Sequence, residues 1–75
     1  MRIINQSGTY SLEFQDHDLR RQDNLIYAVA NQRDILLGEY SDIKRAREVF
    51  TEIHDNAVKE MDILPGMIVF EMPKE

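Results

Sequence analysis

Ser41 to Met61 reads SDIKRAREVFTEIHDNAVKEM, and its spacing decides the fold. Ile43, Ala46, Val49, Phe50, Ile53 and Ala57 recur at intervals of three and four, while Lys44, Arg45, Glu48, Glu52 and Asp55 fall off that stripe. Residues three and four apart share one side of a helix, so an amphipathic helix is predicted over Asp42 to Met61. Ser41 stands where an N-cap hydroxyl belongs, and Asp42 puts a negative charge in the first turn, where the helix dipole favours it. The helix is expected to end between Val58 and Met61, ahead of a turn at Pro65-Gly66.

Two apolar runs precede it. Leu25 to Ala30 (LIYAVA) and Ile35 to Tyr40 (ILLGEY) are the best strand candidates. The tetrapeptide Asn31-Gln32-Arg33-Asp34 between them fits a hairpin built on a type I turn. Gly38 inside the second run marks a bulge, or a place where a bulky helix side chain such as Phe50 comes close. Further upstream, Arg2 to Asn5 is a short strand, Gln6-Ser7-Gly8 a turn, and Tyr10, Leu12 and Phe14 alternate with polar residues as a half-buried strand does. These two strands are expected to pair as a hairpin. Gln15 to Asn24 is almost wholly polar and is expected to be a loop, the most mobile internal segment. Downstream, Met67 to Met72 reads as a final strand stopped by Pro73.

The order β-β-β-β-α-β implies one small α+β domain over residues 1–75, an antiparallel sheet with the helix on one face. The last strand would lie beside the third or fourth strand or at the sheet's edge. A single helix covers one face only. Yet Leu25, Tyr27 and Val29 on one side of their strand are as apolar as Ile26, Ala28 and Ala30 on the other, and Met67 to Met72 repeats this. The second face therefore calls for a cover, from the N-terminal hairpin or from a second copy in a homodimer.

Composition sets the outer limits. With 75 residues and 8.8 kDa, scaling gives about 4,800 Å² of folded surface against about 12,800 Å² unfolded, enough for one thin core. Cysteine is absent, so there is no disulfide, thiolate ligand or thiol nucleophile. Met1 to Gln6 shows no apolar signal-peptide core, and no apolar run approaches a bilayer span, so a cytoplasmic protein without membrane contact is expected. Fourteen acidic residues against nine basic ones, a net charge of −5, disfavour nucleic acid as a partner, since that needs a basic face.

Candidate chemistry is sparse. Asp16-His17-Asp18, with Asp23 nearby, offers metal-binding groups, but adjacent loop residues seldom converge on one ion, and no metal-binding spacing is present. His54-Asp55 lies at the edge of the apolar stripe, with no nucleophile pointed out around it. Gly8, Gly38 and Gly66 are too far apart for a phosphate loop. No catalytic, cofactor or metal residue is therefore assigned. Lys44, Arg45 and Arg47 are the oddity, because cations in the first turns oppose the helix dipole. Lys44 can pair locally with Glu48, or the three form a patch for an acidic partner.

Four segments together resemble a known group. Met1-Arg2-Ile3-Ile4-Asn5-Gln6-Ser7-Gly8-Thr9, Leu36-Leu37-Gly38-Glu39-Tyr40-Ser41, Arg45-Ala46-Arg47-Glu48-Val49-Phe50-Thr51-Glu52-Ile53 and Val69-Phe70-Glu71-Met72-Pro73 resemble small uncharacterised proteins of Gram-positive bacteria and their phages or prophages. Those begin Met-Arg-Ile-Ile-Ser-Gln-Asp-Gly, carry a glycine-x-tyrosine strand end and a serine-capped Arg/Lys-Ala-x-x-Val/Met helix, and close on aromatic-x-Met-Pro. Asn5, Ser7 and Ser11-Leu12-Glu13 depart from the pattern. The group has no assigned activity and lends no functional residues. What the resemblance implies is a mobile-element origin. A small protein-interaction or modulator module without catalytic activity, binding a host or phage protein, is the expected function. The alternative is a nucleic-acid accessory protein using Arg20, Arg21, Arg33 and the Lys44 to Arg47 patch.

Overall fold

The computed structural model describes residues 1–63 and 66–75. The strands are β1 (Arg2–Ile4), β2 (Ser11–Glu13), β3 (Asp18–Gln22), β4 (Leu25–Ala30), β5 (Arg33–Glu39) and β6 (Val69–Glu71). One helix, α1 (Ile43–Met61), lies between β5 and β6. This is the expected α+β organisation. The strands form two three-stranded sheets, ordered β2-β1-β6 and β3-β4-β5, and the helix packs on the second.

The first sheet grows from the expected hairpin. Ile3 faces Leu12 across the antiparallel β1–β2 ladder. Its turn is organised by Asn5, which is buried: Oδ1 accepts from the Thr9 and Tyr10 N–H groups at 2.9 and 3.1 Å, and Nδ2 donates to Ser7 and Thr9 hydroxyls. The last strand runs parallel to β1, with Ile3 opposite Phe70, so it sits at the edge of the first sheet rather than beside β4 or β5. Phe70 in this strand and Met72 just after it are buried, while Val69 and, ahead of the strand, Met67 are 57% and 66% exposed.

The second sheet corrects two expectations. Gln15 to Asn24 is not a loop: after a short 3-10 turn at Phe14–Asp16 it forms β3, antiparallel to β4 from Asp18↔Val29 to Gln22↔Leu25. Its only aliphatic residue, Leu19, turns to the core, while Asp18, Arg20 and Gln22 face outward, so an edge strand's polarity hid it. The β4–β5 connection is Asn31-Gln32 alone, not a tetrapeptide on a type I turn. Positive φ at both residues (51° and 64°) makes it the mirror-image type I′ turn, whose twist matches that of the strands it joins.

The bulge expected at Gly38 is present, since Ile26 faces Gly38 and Tyr27 faces Leu36, which leaves Leu37 extra. The side chain crowding Gly38 is Tyr40 rather than Phe50: a Cβ there would lie 2.9 Å from the Tyr40 hydroxyl. At the helix start, the cap is Asp42, not Ser41. Asp42 has extended backbone, and its carboxylate accepts from the Arg45 N–H at 2.8 Å. The expected turn at Pro65-Gly66 involves Pro65, which lies outside the described residues.

Both sheets and the helix feed one core. Met1, Ile3, Leu12, Phe70 and Met72 come from the first sheet and its flanks, Ile26, Ala28, Leu37 and Tyr40 from the second, and Ala46, Val49 and Ile53 from the helix. The folded surface is 5028 Å², close to the scaling value. None of the described helices is long and apolar enough to cross a membrane.

Candidate interaction surface

Strand alternation leaves the second sheet with a distinct outer face. Ile26 and Ala28 point inward and are fully buried, so Leu25, Tyr27 and Val29 point the other way and remain half-buried. Three cross-strand rows result: Gln22–Leu25–Glu39, Arg20–Tyr27–Leu36 and Asp18–Val29–Asp34. The bulge is what turns Leu36 outward, 46% exposed, beside a Leu37 that is 1% exposed. Tyr10 comes from the first sheet to the rim of this face, 41% exposed, its hydroxyl donating to the Leu36 carbonyl at 3.1 Å.

Charged groups frame the apolar row. The Arg20 guanidinium stands 4.6 Å from the centre of the Tyr27 ring, bonds Asp34 Oδ2 at 2.5 Å and donates to Gln22 Oε1 at 2.7 Å. Tyrosine and a stacked arginine are residue types enriched where proteins meet. Among the described residues, the N-terminal hairpin reaches the rim of this face through Tyr10.

The three cations at the start of the helix have separate situations. Arg45 lies 3.6 Å from both Glu48 and Glu52 and donates from Nε to the Glu75 carbonyl, so it holds the tail. The local pairing expected for Lys44 with Glu48 is made by Arg45 instead. Lys44 and Arg47 are exposed and have no ion pair among the described residues.

A second apolar surface lies by the C-terminal half of the helix. Phe14, His54, Ala57, Val58 and Met61 line a groove of about 410 Å³. His54 meets the Phe14 ring edge-on at 6.1 Å and the Phe50 ring at 4.7 Å, and its Nδ1 bonds the Phe50 carbonyl. Gln15 and Glu60 are the other lining residues, so no hydroxyl or thiol nucleophile faces His54 there. Glu60 is 5% exposed and engaged: the Met1 α-amino group donates to it at 2.5 Å and to Glu13 at 3.1 Å, and Glu60 also accepts from the Ile68 N–H. That bond with Met1 holds the Glu60 carboxyl below its ordinary range and the amine above its own. Burial pushes the Tyr40 hydroxyl up to about 12, so it stays protonated and donates to the Pro73 carbonyl.

His17 is taken up locally, its Nδ1 against the Glu13 carbonyl at 2.8 Å. The described residues contain no cluster of three metal-ligating side chains. Of the outer-face residues, Leu25, Tyr27 and Val29 were legible from alternation alone. Leu36 and Asp34 were not, because their directions depend on the bulge and on the short turn. Comparison with known protein families, with curated proteins and with solved structures finds no match.

Proposed function

We propose that this chain is a small non-catalytic protein-interaction or modulator module of bacterial or phage origin that works in the cytoplasm as a homodimer. The outer face of β3-β4-β5 is its contact surface for a host or phage protein. One observation carries the reading: Tyr10 and Leu36 lie open on the face opposite the helix, beside a half-buried Tyr27 and framed by the Arg20–Asp34 pair. Burying a fully exposed large apolar side chain contributes about 1.5–3 kcal/mol, and Tyr10 and Leu36, 41% and 46% exposed, have a fraction of that to gain from a partner. The resemblance to small phage and prophage proteins agrees with a modulating role.

The test is affinity capture from a Gram-positive lysate with the wild-type chain and with Leu36→Glu. A discrete protein retained by wild type and lost with Leu36→Glu is the expected result; equal capture by both overturns the reading. A nucleic-acid accessory role has Lys44 and Arg47 in its favour, exposed and without ion pairs among the described residues. Against it stand the net charge of −5 and the engagement of Arg20 and Arg45 with carboxylates. Salt-sensitive gel shifts lost in Lys44→Glu with Arg47→Glu would favour that role instead.

A further inference from the structure

The second sheet has one edge covered at residues 36–39 and one open edge. Along β5, Gln6 acts as a surrogate strand: its N–H donates to the Leu37 carbonyl at 2.7 Å, and its side-chain amide both accepts from the Glu39 N–H and donates to the Glu39 carbonyl. Nothing comparable covers β3, which pairs only with β4 among the described residues. At five residues it is the longest open edge, since β2 and β6, the outer strands of the first sheet, have three each.

The ladder shows which groups face outward. Gln22 and Leu25 flank the two-residue turn Asp23-Asn24, so they form a pair that exchanges both backbone bonds. By alternation Arg20–Tyr27 and Asp18–Val29 do the same, which turns the N–H and C=O of Leu19 and Arg21 away from β4. No group among the described residues bonds them. His17 continues the strand with extended backbone; its N–H is given to Phe14 but its carbonyl is open.

We infer that two copies of this chain join antiparallel along β3, with Leu19 facing Leu19 of the second copy. This inference rests on the homodimer in the proposed function and specifies how its copies meet. A two-fold axis perpendicular to the sheet keeps outward residues outward, so the register is centred on a residue of β3. Centring on Leu19 sets Asp18 opposite Arg20 of the other copy, twice, and His17 opposite Arg21. Centring on Arg20 sets two guanidinium groups face to face. Opposite charges directly across a ladder stabilise it and like charges oppose it, so the charges select the Leu19 register. Asp18 is exposed and has no ion pair among the described residues. Arg20 uses one nitrogen on Gln22 and one on Asp34, which leaves donors for a second carboxylate.

The bonds across the seam run from each Leu19 to the other and from each Arg21 N–H to the opposite His17 carbonyl. The product is a six-stranded sheet with both Tyr27 rows on one side. Three strand spacings place the two β4 strands about 14 Å apart, so the two contact strips merge into one wide surface.

Sedimentation velocity at micromolar to high-micromolar concentration tests the seam, with circular dichroism reporting that each variant is folded. Wild type is expected to be a dimer. Asp18→Lys and Arg20→Asp, each placing like charges across the seam, are expected to weaken dimerisation by about tenfold or more. Combining them restores opposite charges and the dimer. In a chain without cysteine, Leu19→Cys is expected to form a covalent dimer on oxidation, and Arg20→Cys to form little. A monomeric wild type, or cross-linking through Arg20→Cys but not Leu19→Cys, overturns the seam. Single charge variants as dimeric as wild type, with Leu19→Cys uncross-linked, show a dimer assembled elsewhere, which refutes this register and leaves the homodimer standing. Should the charge variants fail to fold, the cysteine pair decides alone.

Discussion

Glu60 shows how one residue ties the fold together. It extends the helix's apolar stripe three positions beyond Ala57, so a carboxylate arrives among buried side chains and takes the Met1 amine as its partner. The apolar stripe was read only as far as Ala57, because a carboxylate carries no apolar mark. Its partner was not legible either, because the other end of the chain supplies it. The signs of the two shifts set a pH window. A depressed Glu60 pKa contributes stability that is present above the ordinary value of 4.5 and lost as pH falls through the folded value. A raised Met1 pKa contributes stability that is present below 8.0 and lost as pH rises through its folded value. The pair is therefore fully effective from about pH 4.5 to 8.0. In thermal melts of this 75-residue chain, Glu60→Gln is expected to lower the midpoint by roughly 5 °C at neutral pH. It should also flatten both flanks of the pH profile, and a variant profile parallel to wild type across pH 3–10 would remove the pair from the account.

Among the elements, the helix was readable almost to its last residue because its periodicity survives any choice of neighbours. Its cap was not, since Ser41 and Asp42 are both good capping residues and only the backbone decides between them. Asp42→Ala is expected to cost about 1 kcal/mol, seen as a 4–8 °C lower melting temperature, and Ser41→Ala close to nothing. Equal losses in calorimetry would place the cap wrongly. The β3 strand was hidden for the opposite reason. Only Leu19 in Asp18–Gln22 is aliphatic, so alternation had too few apolar marks to be seen, and pairing with β4 supplies what propensity does not. The Asn31-Gln32 turn was missed because Gln32 carries no sign of the positive φ it adopts.

For the whole molecule, the contrast between its two faces is the functional argument. Leu36 and Leu37 are neighbours with opposite fates, and their substitution separates fold from contact. Leu37→Ala removes a fully buried side chain and is expected to cost about 2–5 kcal/mol, close to all the stability that a chain this small has. Leu36→Glu is expected to shift the midpoint by no more than about 3 °C while abolishing partner capture. Comparable denaturation of the two variants in urea would show that Leu36 serves the core after all. That Leu25, Tyr27 and Val29 share the face turned away from the core could be read from Leu25 to Ala30. How far the N-terminal hairpin would reach could not, because that depends on one hydroxyl meeting one carbonyl 26 positions away.

The parallel pairing of β1 with β6 also governs when the molecule can be completed. Residues 18–61 form three successive strands and a helix through contacts close in sequence, so this block can assemble as soon as it leaves the ribosome. Ile3 must wait for Phe70, and Gln6 for the carbonyls of Pro73 and Lys74. The β1 edge that faces β6 is thus closed last, and during synthesis that edge stands open to whatever the cell presents.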